Sequence, residues 1–327
     1  MTFHDLLEKC AEVPGACVKE VSGGLELCLN QPQGTGVMRI YQLFPGIVLT
    51  YIWVDAFTWA APDLADCFQT PLLLNYCILG RCELLLDSGN YVFLKENEMA
   101  LTNHFAQKQY IYPRRMYQGL ELFLDANAAG QFPELKEQFG IHLPTLANRY
   151  CPEGKTFISA CPDKPRELFG RLWGLWDMPG AEAIFQMRIA VLDLLSSLIC
   201  SKDISETGIR TFLTVSQVKI AMKTEELISA DPGRHLPARE LAAMFSISET
   251  SLKNYFREVY GQNLSAYLQD LRMETAAKLL ADTRLPVSEV AMKAGYQNQS
   301  KFAAAFKKYF SQTPLEYRRL AHLQEGD

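Results

Sequence analysis

The chain has only five histidines, and no two of them form a His-x-His pair. A metal centre in a β-barrel gathers two or three imidazoles and a carboxylate. Here only His104 falls within the strand-patterned region, with His4 and His142 outside it, so no metal site is expected. The nine cysteines contain no Cys-x-x-Cys spacing; Cys77 and Cys82 are five apart, Cys151 and Cys161 ten apart. Neither interval suits zinc. Free thiols in a reducing compartment are the plain expectation, and thiol-based redox control is the alternative. Gly-x-Ser-x-Gly, the phosphate loop and Gly-x-Gly-x-x-Gly are all absent, so no enzyme activity and no cofactor are expected. The opening decapeptide MTFHDLLEKC is acidic and lacks the basic-then-apolar order of a secretory leader. The most apolar stretches are interrupted by Asp55 and by Gln186, Arg188 and Asp193. None offers the roughly 20 uninterrupted apolar residues of a membrane span. A soluble, cytoplasmic protein is expected.

What is present fits two domains, since 327 residues exceed one ordinary core. The net charge of −5 is unevenly spread: residues 214–321 carry +4, whereas residues 1–213 carry −7. An acidic front and a basic back suggest that only the back meets a polyanion. Residues 18–125 read as short strands separated by turns. Leu72–Leu79 is one, and Glu83–Asp87 and Tyr91–Leu94 flank the turn Asp87-Ser88-Gly89-Asn90. Ile47–Val54 is apolar at nearly every position, as a strand buried on both faces requires. From residue 131 the periodicity turns helical, with Glu134–Phe139, Arg166–Trp176 and Ala181–Cys200. The polar run 201–210 then separates a front domain, 1–205, from a linker, 206–214, and a helical domain, 215–321.

The back domain contains a repeat. Leu236-Pro237 recurs as Leu285-Pro286, and Glu240, Leu241 and Ala242 recur as Glu289, Val290 and Ala291, all at a shift of 49. At a shift of 50, Leu252, Phe256, Tyr260 and Tyr267 recur as Phe302, Phe306, Phe310 and Tyr317. Each unit reads as a short helix opened by its proline, a turn (Ser246-Ile247-Ser248 or Gly295-Tyr296-Gln297) and a second helix. The second helix buries an aromatic stripe. Its opposite face is small and polar: Thr250, Ser251, Lys253, Asn254 and Arg257 in the first unit, and Gln299, Ser300, Lys301, Ala304, Lys307 and Lys308 in the second. Short hydrogen-bonding side chains flanked by cations are what a helix needs to enter the DNA major groove.

The run GYQNQSKFAAAFKKYFSQTPLEYRR, residues 295–319, resembles the signature of AraC/XylS-type transcriptional regulators, and residues 246–280 resemble that family's first motif and joining helix. The resemblance covers about residues 216–320. It implies seven helices in two helix-turn-helix subdomains, spaced by a connecting helix, Leu264–Leu280, so that successive major grooves are read. By position, base reading falls to Thr250, Ser251, Lys253 and Asn254, then Gln299, Ser300, Lys301 and Ala304. Ser311 stands where the family pattern usually has glycine and where the first copy has Gly261. Strands followed by helices, an α+β arrangement, are similar to family members whose cupin-like N-terminal barrel senses a small molecule and dimerises. Tyr41, Tyr51, Trp53 and Trp59 are the candidate effector contacts. Ile184, Met187, Val191, Leu194 and Leu198 form the candidate homodimer seam; because Leu195 and Ile199 widen the stripe at one end, packing within the same domain is the alternative. Double-stranded DNA is the expected partner, with RNA polymerase if the protein activates. A metal-independent cupin enzyme fused to a DNA-binding domain, or a structural nucleoid protein, are the other readings considered.

Overall fold

The computed structural model describes residues 3–31, 34–86, 88–103, 109–126, 132–178, 180–201 and 212–324. His104, Asp87 and most of the expected linker lie outside them. The chain divides into two compact units, Met1–Thr214 and Val215–Asp327.

The first unit opens with a helix, α1 (Phe3–Ala11), and continues with strands β1 (Ala16–Val21), β2 (Gly24–Gln31), β3 (Gly34–Phe44), β4 (Ile47–Ala56), β5 (Thr58–Ala60) and β6 (Pro71–Leu79). Next come β7 (Arg81–Leu85), β8 (Tyr91–Lys95), β9 (Glu98–Thr102), β10 (Gln109–Ile111) and β11 (Met116–Asp125). The helical part holds α2 (Glu134–Glu137), α3 (Leu143–Tyr150), α4 (Asp163–Trp173) and α5 (Ala181–Cys200), with a further strand, β12 (Phe157–Ala160), between α3 and α4. Eight strands form one antiparallel sheet in the order β1-β2-β3-β4-β11-β6-β9-β12, and β7-β8 and β5-β10 form two small ribbons. β12 breaks the expected division into strands then helices. Four residues are too few to show a period, and β12 is a strand because it pairs with β9 from Phe157↔Leu101 to Ala160↔Glu98.

Both faces of the large sheet are buried, as the unbroken apolar run in β4 requires. Tyr51, Leu74, Leu101 and Leu122 point to the face covered by α3, α4 and α5. Their alternates Ile52, Leu73, Ala100 and Phe123 point to the opposite face, where they pack with Leu84, Val92, Trp59 and Tyr112 from the ribbons and the loop after β10. The mixed α and β architecture expected from the sequence is therefore present, with one broad sheet enclosed from both sides.

The stripe on α5 corrects the sequence reading. Met187, Val191, Leu194 and Leu198 are buried in the same cluster as the sheet residues above, and half-buried Ile184 packs against it. Ile184 also abuts the β1–β2 turn, where a Cβ on Gly23 would meet its Cδ1 at 2.0 Å. A side chain already enclosed by its own domain has no apolar area left for a partner, so Met187, Val191, Leu194 and Leu198 are core, with Ile184 at its edge. Leu195 widens the buried face as its position in the sequence suggests, and Ala183 and Ala190, both buried, widen it further without adding bulk. By length and composition α5 could cross a membrane. Its apolar stripe is nonetheless buried within the first unit, and its charged side chains are partnered there: Arg188 donates to the Leu43 carbonyl at 2.9 Å, and Asp193 pairs with Lys164 at 2.9 Å.

The second unit has seven helices among its described residues: α6 (Val215–Ala230), α7 (Ala238–Met244), α8 (Glu249–Tyr260), α9 (Leu264–Asp282), α10 (Val287–Lys293), α11 (Gln299–Phe310) and α12 (Pro314–Gln324). Pro237 and Pro286 are N-caps with ψ of 143° and 145°, not first helical residues, so α7 and α10 each begin one residue later than expected. The connecting helix α9 runs two residues past Leu280.

The core assignment of α5 has a direct check by urea denaturation of the full chain. Leu194→Ala should destabilise the first unit by about 2–5 kcal/mol, the range for a leucine removed from a closed core. Phe185→Ala, on the outer side of the same helix at 59 % exposure, should stay within about 0.5 kcal/mol of the parent.

Candidate functional site

The two helix-turn-helix units repeat in their contacts as well as in their letters. In the first, α8 buries Leu252, Phe256, Val259 and Tyr260. Tyr267 of α9 meets Phe256 edge-on at 5.2 Å and 79°, and Tyr260 at 5.1 Å. In the second, α11 buries Phe302 and Phe306. Tyr317 of α12 meets Phe306 edge-on at 5.4 Å and 84°, and Phe310 at 5.2 Å. Edge-to-face pairs of this kind have a preferred geometry, so each triangle fixes the rotation of its helix as well as its position.

The turns repeat too. The Ile247 N–H donates to the Ala242 carbonyl at 3.2 Å, and the Tyr296 N–H donates to the Ala291 carbonyl at 2.8 Å, each closing the first helix with a left-handed residue. That residue is Ser246 (φ 54°) in one copy and Gly295 (φ 78°) in the other. After the second helix the assignment reverses, with Gly261 at φ 76° and Ser311 at φ 61°. Ser311 is thus left-handed, with the strain a side chain brings there. Ser246, which the sequence reading passed over, carries the same strain. Its alignment with Gly295 was the available signal. Gly295 has a further reason: a Cβ there would lie 2.9 Å from the Gly233 carbonyl oxygen and 3.0 Å from the Arg272 guanidinium. Arg272 itself donates to the Pro232 carbonyl at 2.8 Å.

With both helices so held, the faces left outward carry the residues picked from sequence. Thr250, Lys253, Asn254 and Arg257 are exposed, as are Gln299, Ser300, Lys301, Ala304, Lys307 and Lys308; Ser251 is half-buried. Each helix starts with a capping side chain. Ser248 accepts from the Ser251 N–H at 3.0 Å, and Asn298 accepts from the Lys301 N–H at 3.0 Å. The Ser251 hydroxyl is also within 2.8 Å of the Ser248 hydroxyl. Lys253 pairs with Glu249 at 2.5 Å, and Arg257 reaches the Asn254 carbonyl oxygen at 3.4 Å. These surface links are weak enough to exchange for phosphate or base contacts.

The four aromatic candidates in the first unit divide between the two faces of the sheet. Tyr41 and Tyr51 face the helices, and the Tyr51 hydroxyl donates to the Leu172 carbonyl at 2.7 Å. Trp53 lines an outer groove with Trp173, Trp176, Val37 and Gln118. Trp59 alone faces the ribbons, at 3 % exposure, and its indole Nε1 has no hydrogen-bond partner. The sequence reading missed the polar groups on that inner face. Thr50, Glu121 and Asn75 stand abreast on β4, β11 and β6, and all three are buried. Asn75 Nδ2 donates to Glu121 Oε1 at 3.1 Å, and the Tyr117 hydroxyl donates to Asn75 Oδ1 at 3.3 Å. Burial pushes the Glu121 carboxyl up to about 7. Among the described residues, no group of three or more His, Cys, Asp or Glu could hold a metal ion.

Residues 241–320 match the family model described as a helix-turn-helix domain. The chain is 28 % identical over 143 residues to the HTH-type transcriptional regulator AlkR of Acinetobacter baylyi, covering 43 % of this chain and 45 % of that one. It is 37 % identical over 87 residues to the RCS-specific HTH-type transcriptional activator RclR of Escherichia coli, covering 27 % and 31 %. Among solved structures, the C-terminal domain of AraT, a response regulator from Geobacillus stearothermophilus, is 31 % identical, with a TM-score of 0.30, covering 31 % of this chain and 84 % of that one. The matched segments span less than half the length of the two curated relatives. The second unit is thus a double helix-turn-helix domain. It is a domain of the AraC type.

Two measurements follow. Ser246→Gly and Ser311→Gly should each change stability by about +0.5–1 kcal/mol, because relief of left-handed strain outweighs the added freedom of the unfolded chain. Gly295→Ala should lose at least about 1 kcal/mol from the same conformational preference, before the contact with Gly233 is counted. Denaturant titrations decide both. For Glu121 the sign runs the other way from a paired carboxylate. The unfolded carboxyl ionises near 4.5 and the folded one near 7, so its stability contribution falls as pH rises through that interval and stays low above it. Glu121→Gln should therefore stabilise the chain by on the order of 3 kcal/mol at pH 8, with the gain vanishing by pH 4.

Proposed function

We propose that this chain is a sequence-specific DNA-binding transcriptional regulator whose two recognition helices, α8 and α11, enter successive major grooves on one face of the duplex. The observation that carries this reading is the duplication of geometry. The same aromatic triangle and the same left-handed turn hold two helices whose outward faces are short, polar and cationic. A single such face would be an ordinary solvated surface. Two copies, each built to hold its helix at one rotation, are the arrangement that groove docking requires. The names of the relatives, transcriptional regulators in both cases, support the same conclusion. Asn254 and Gln299 read bases through their side-chain amides, while Lys307 and Lys308 meet phosphates.

The first unit is the sensing domain in this reading, a cupin-like enclosure that binds a small molecule and alters operator binding. For the redox alternative, exposed Cys17 and Cys200 are the accessible thiols. Burial raises Cys10, Cys28, Cys67, Cys77, Cys82 and Cys161 above the ordinary thiol value, whereas a sensor thiol is lowered. RNA polymerase is a further partner if the protein activates.

Selection of a binding site from random duplexes, followed by footprinting, tests the assignment. Protection should fall on one DNA face at sites about 34 Å apart. Affinity should decline with salt at about 0.9 log units per log unit for each phosphate contacted. Asn254→Ala or Gln299→Ala should relax preference at one base pair by about 1–3 kcal/mol. Lys307→Ala should weaken all sequences alike and shallow the salt slope. A chain that selects no sequence, or whose binding ignores salt, would overturn the reading.

A further inference from the structure

The inner face of the first unit is lined almost wholly by apolar and aromatic side chains. A core of that kind gains nothing from a carboxyl group, and enclosing one without a cation costs more than an apolar residue would. Yet Glu121 is placed at its centre by strand register, directly opposite Thr50 on β4 and Asn75 on β6. Side chains directly opposite on neighbouring strands have Cβ atoms about 5 Å apart, so the three polar ends share one small volume.

Their hydrogen bonds are incomplete in a consistent way. Both ends of the Asn75 amide are used, one by Glu121 and one by Tyr117. The Thr50 hydroxyl, at 0 % exposure, has no partner, and neither has the Trp59 indole N–H. Trp59 lies directly opposite Tyr110 on the β5–β10 ribbon, and the Tyr110 hydroxyl is raised by burial and, less, by the charge of Glu121. The remaining titratable groups that feel Glu121 are Tyr112, Tyr117 and Cys82, all raised by burial and none cationic. Tyr112 and Tyr117 stack at 4.7 Å and form an aromatic wall beside the polar row. Gly119 completes the arrangement. A Cβ there would sit 2.3 Å from the Tyr117 hydroxyl, so only glycine leaves that hydroxyl room to lie along β11 toward Asn75.

These groups together offer one anionic acceptor, one hydroxyl that can donate or accept, and one donor, inside aromatic walls. A metal ion is a poor match, because no cluster of ligating side chains surrounds Glu121 among the described residues. The outer groove beside Trp53 lacks such unmet groups. Arg39 next to it already bonds Glu26 at 2.6 Å and the Trp176 carbonyl.

Building on the reading of this unit as the sensor, we propose that its inner face binds a small organic amine, the ammonium group received by Glu121 and Thr50 and an acceptor atom of the same molecule reached by the Trp59 N–H. The ligand then supplies the cation that the buried carboxylate lacks.

The full chain can be tested with named probes at one pH and one ionic strength: butylamine, ethanolamine and 1,4-diaminobutane, against butanol and butyrate. Titration calorimetry and thermal shift should show saturable binding and stabilisation by at least one amine and by neither control. Glu121→Gln keeps the shape and the Asn75 bond, and should weaken that amine tenfold or more, with an unchanged circular dichroism spectrum. Thr50→Val should weaken it several-fold, whereas Phe185→Ala on the outer side of α5 should bind as the parent does. The proposal is overturned if none of the amines binds, if butanol or butyrate binds as well, or if Glu121→Gln binds the amine unchanged. A chain that selects no DNA sequence yet binds amine through Glu121 retains the site and loses the regulatory reading. Selective DNA binding without any amine binding does the reverse.

Discussion

Each recognition helix depends on an edge-on contact between an aromatic ring on its buried side and a tyrosine from the helix that follows. Phe256 and Tyr267 make it in the first unit, and Phe306 and Tyr317 make it in the second. A helix that rolled by one residue would turn about 100° and carry its outward side chains to a different side of the domain. The triangle resists that roll because ring pairs have an angular preference that aliphatic contacts lack. The polar faces on α8 and α11 therefore have meaning only through what is buried behind them. The short α7 and α10 contribute a second restraint. Each ends in the same pair of hydrogen bonds around one left-handed residue, which sets the angle at which the next helix departs.

The first unit answers to a different constraint. Its large sheet is covered on both faces, so every strand residue is committed to one side or the other by the pleat, and a change of one in register would exchange the two cores. That strictness is what brings Thr50, Glu121 and Asn75 abreast. Burial raises the Glu121 carboxyl toward 7, so its ionisation at neutral pH opposes folding.

Much of the second unit was legible in the letters alone. The repeat at shifts of 49 and 50 marked both units, the aromatic spacing marked the buried sides, and the outward residues followed by elimination. The left-handed conformation of Ser246 was missed although its alignment with Gly295 pointed to it, because serine also suits an ordinary turn. In the first unit the helix α5 was correctly bounded, yet its stripe suited a partner seam and a domain core about equally. Period shows that one side of a helix is apolar and says nothing of whether the covering surface comes from the same chain. The polar row was invisible for a related reason, since Thr50, Asn75 and Glu121 are far apart in sequence and each sits singly among apolar neighbours.

Sequence by itself determined what is local or repeated: the helical and strand periods and the twin units with their polar faces. Those features depend on interactions within about one turn of helix or on comparison of the chain with itself. Only the tertiary structure decided that α5 belongs to the core, that Phe157–Ala160 is a strand beside β9, and that Trp59 faces inward while Trp53 does not. It also decided the neighbours of Glu121. Each of these depends on which segment packs against which, and that is settled by pairing between residues tens of positions apart, where no periodic signal exists.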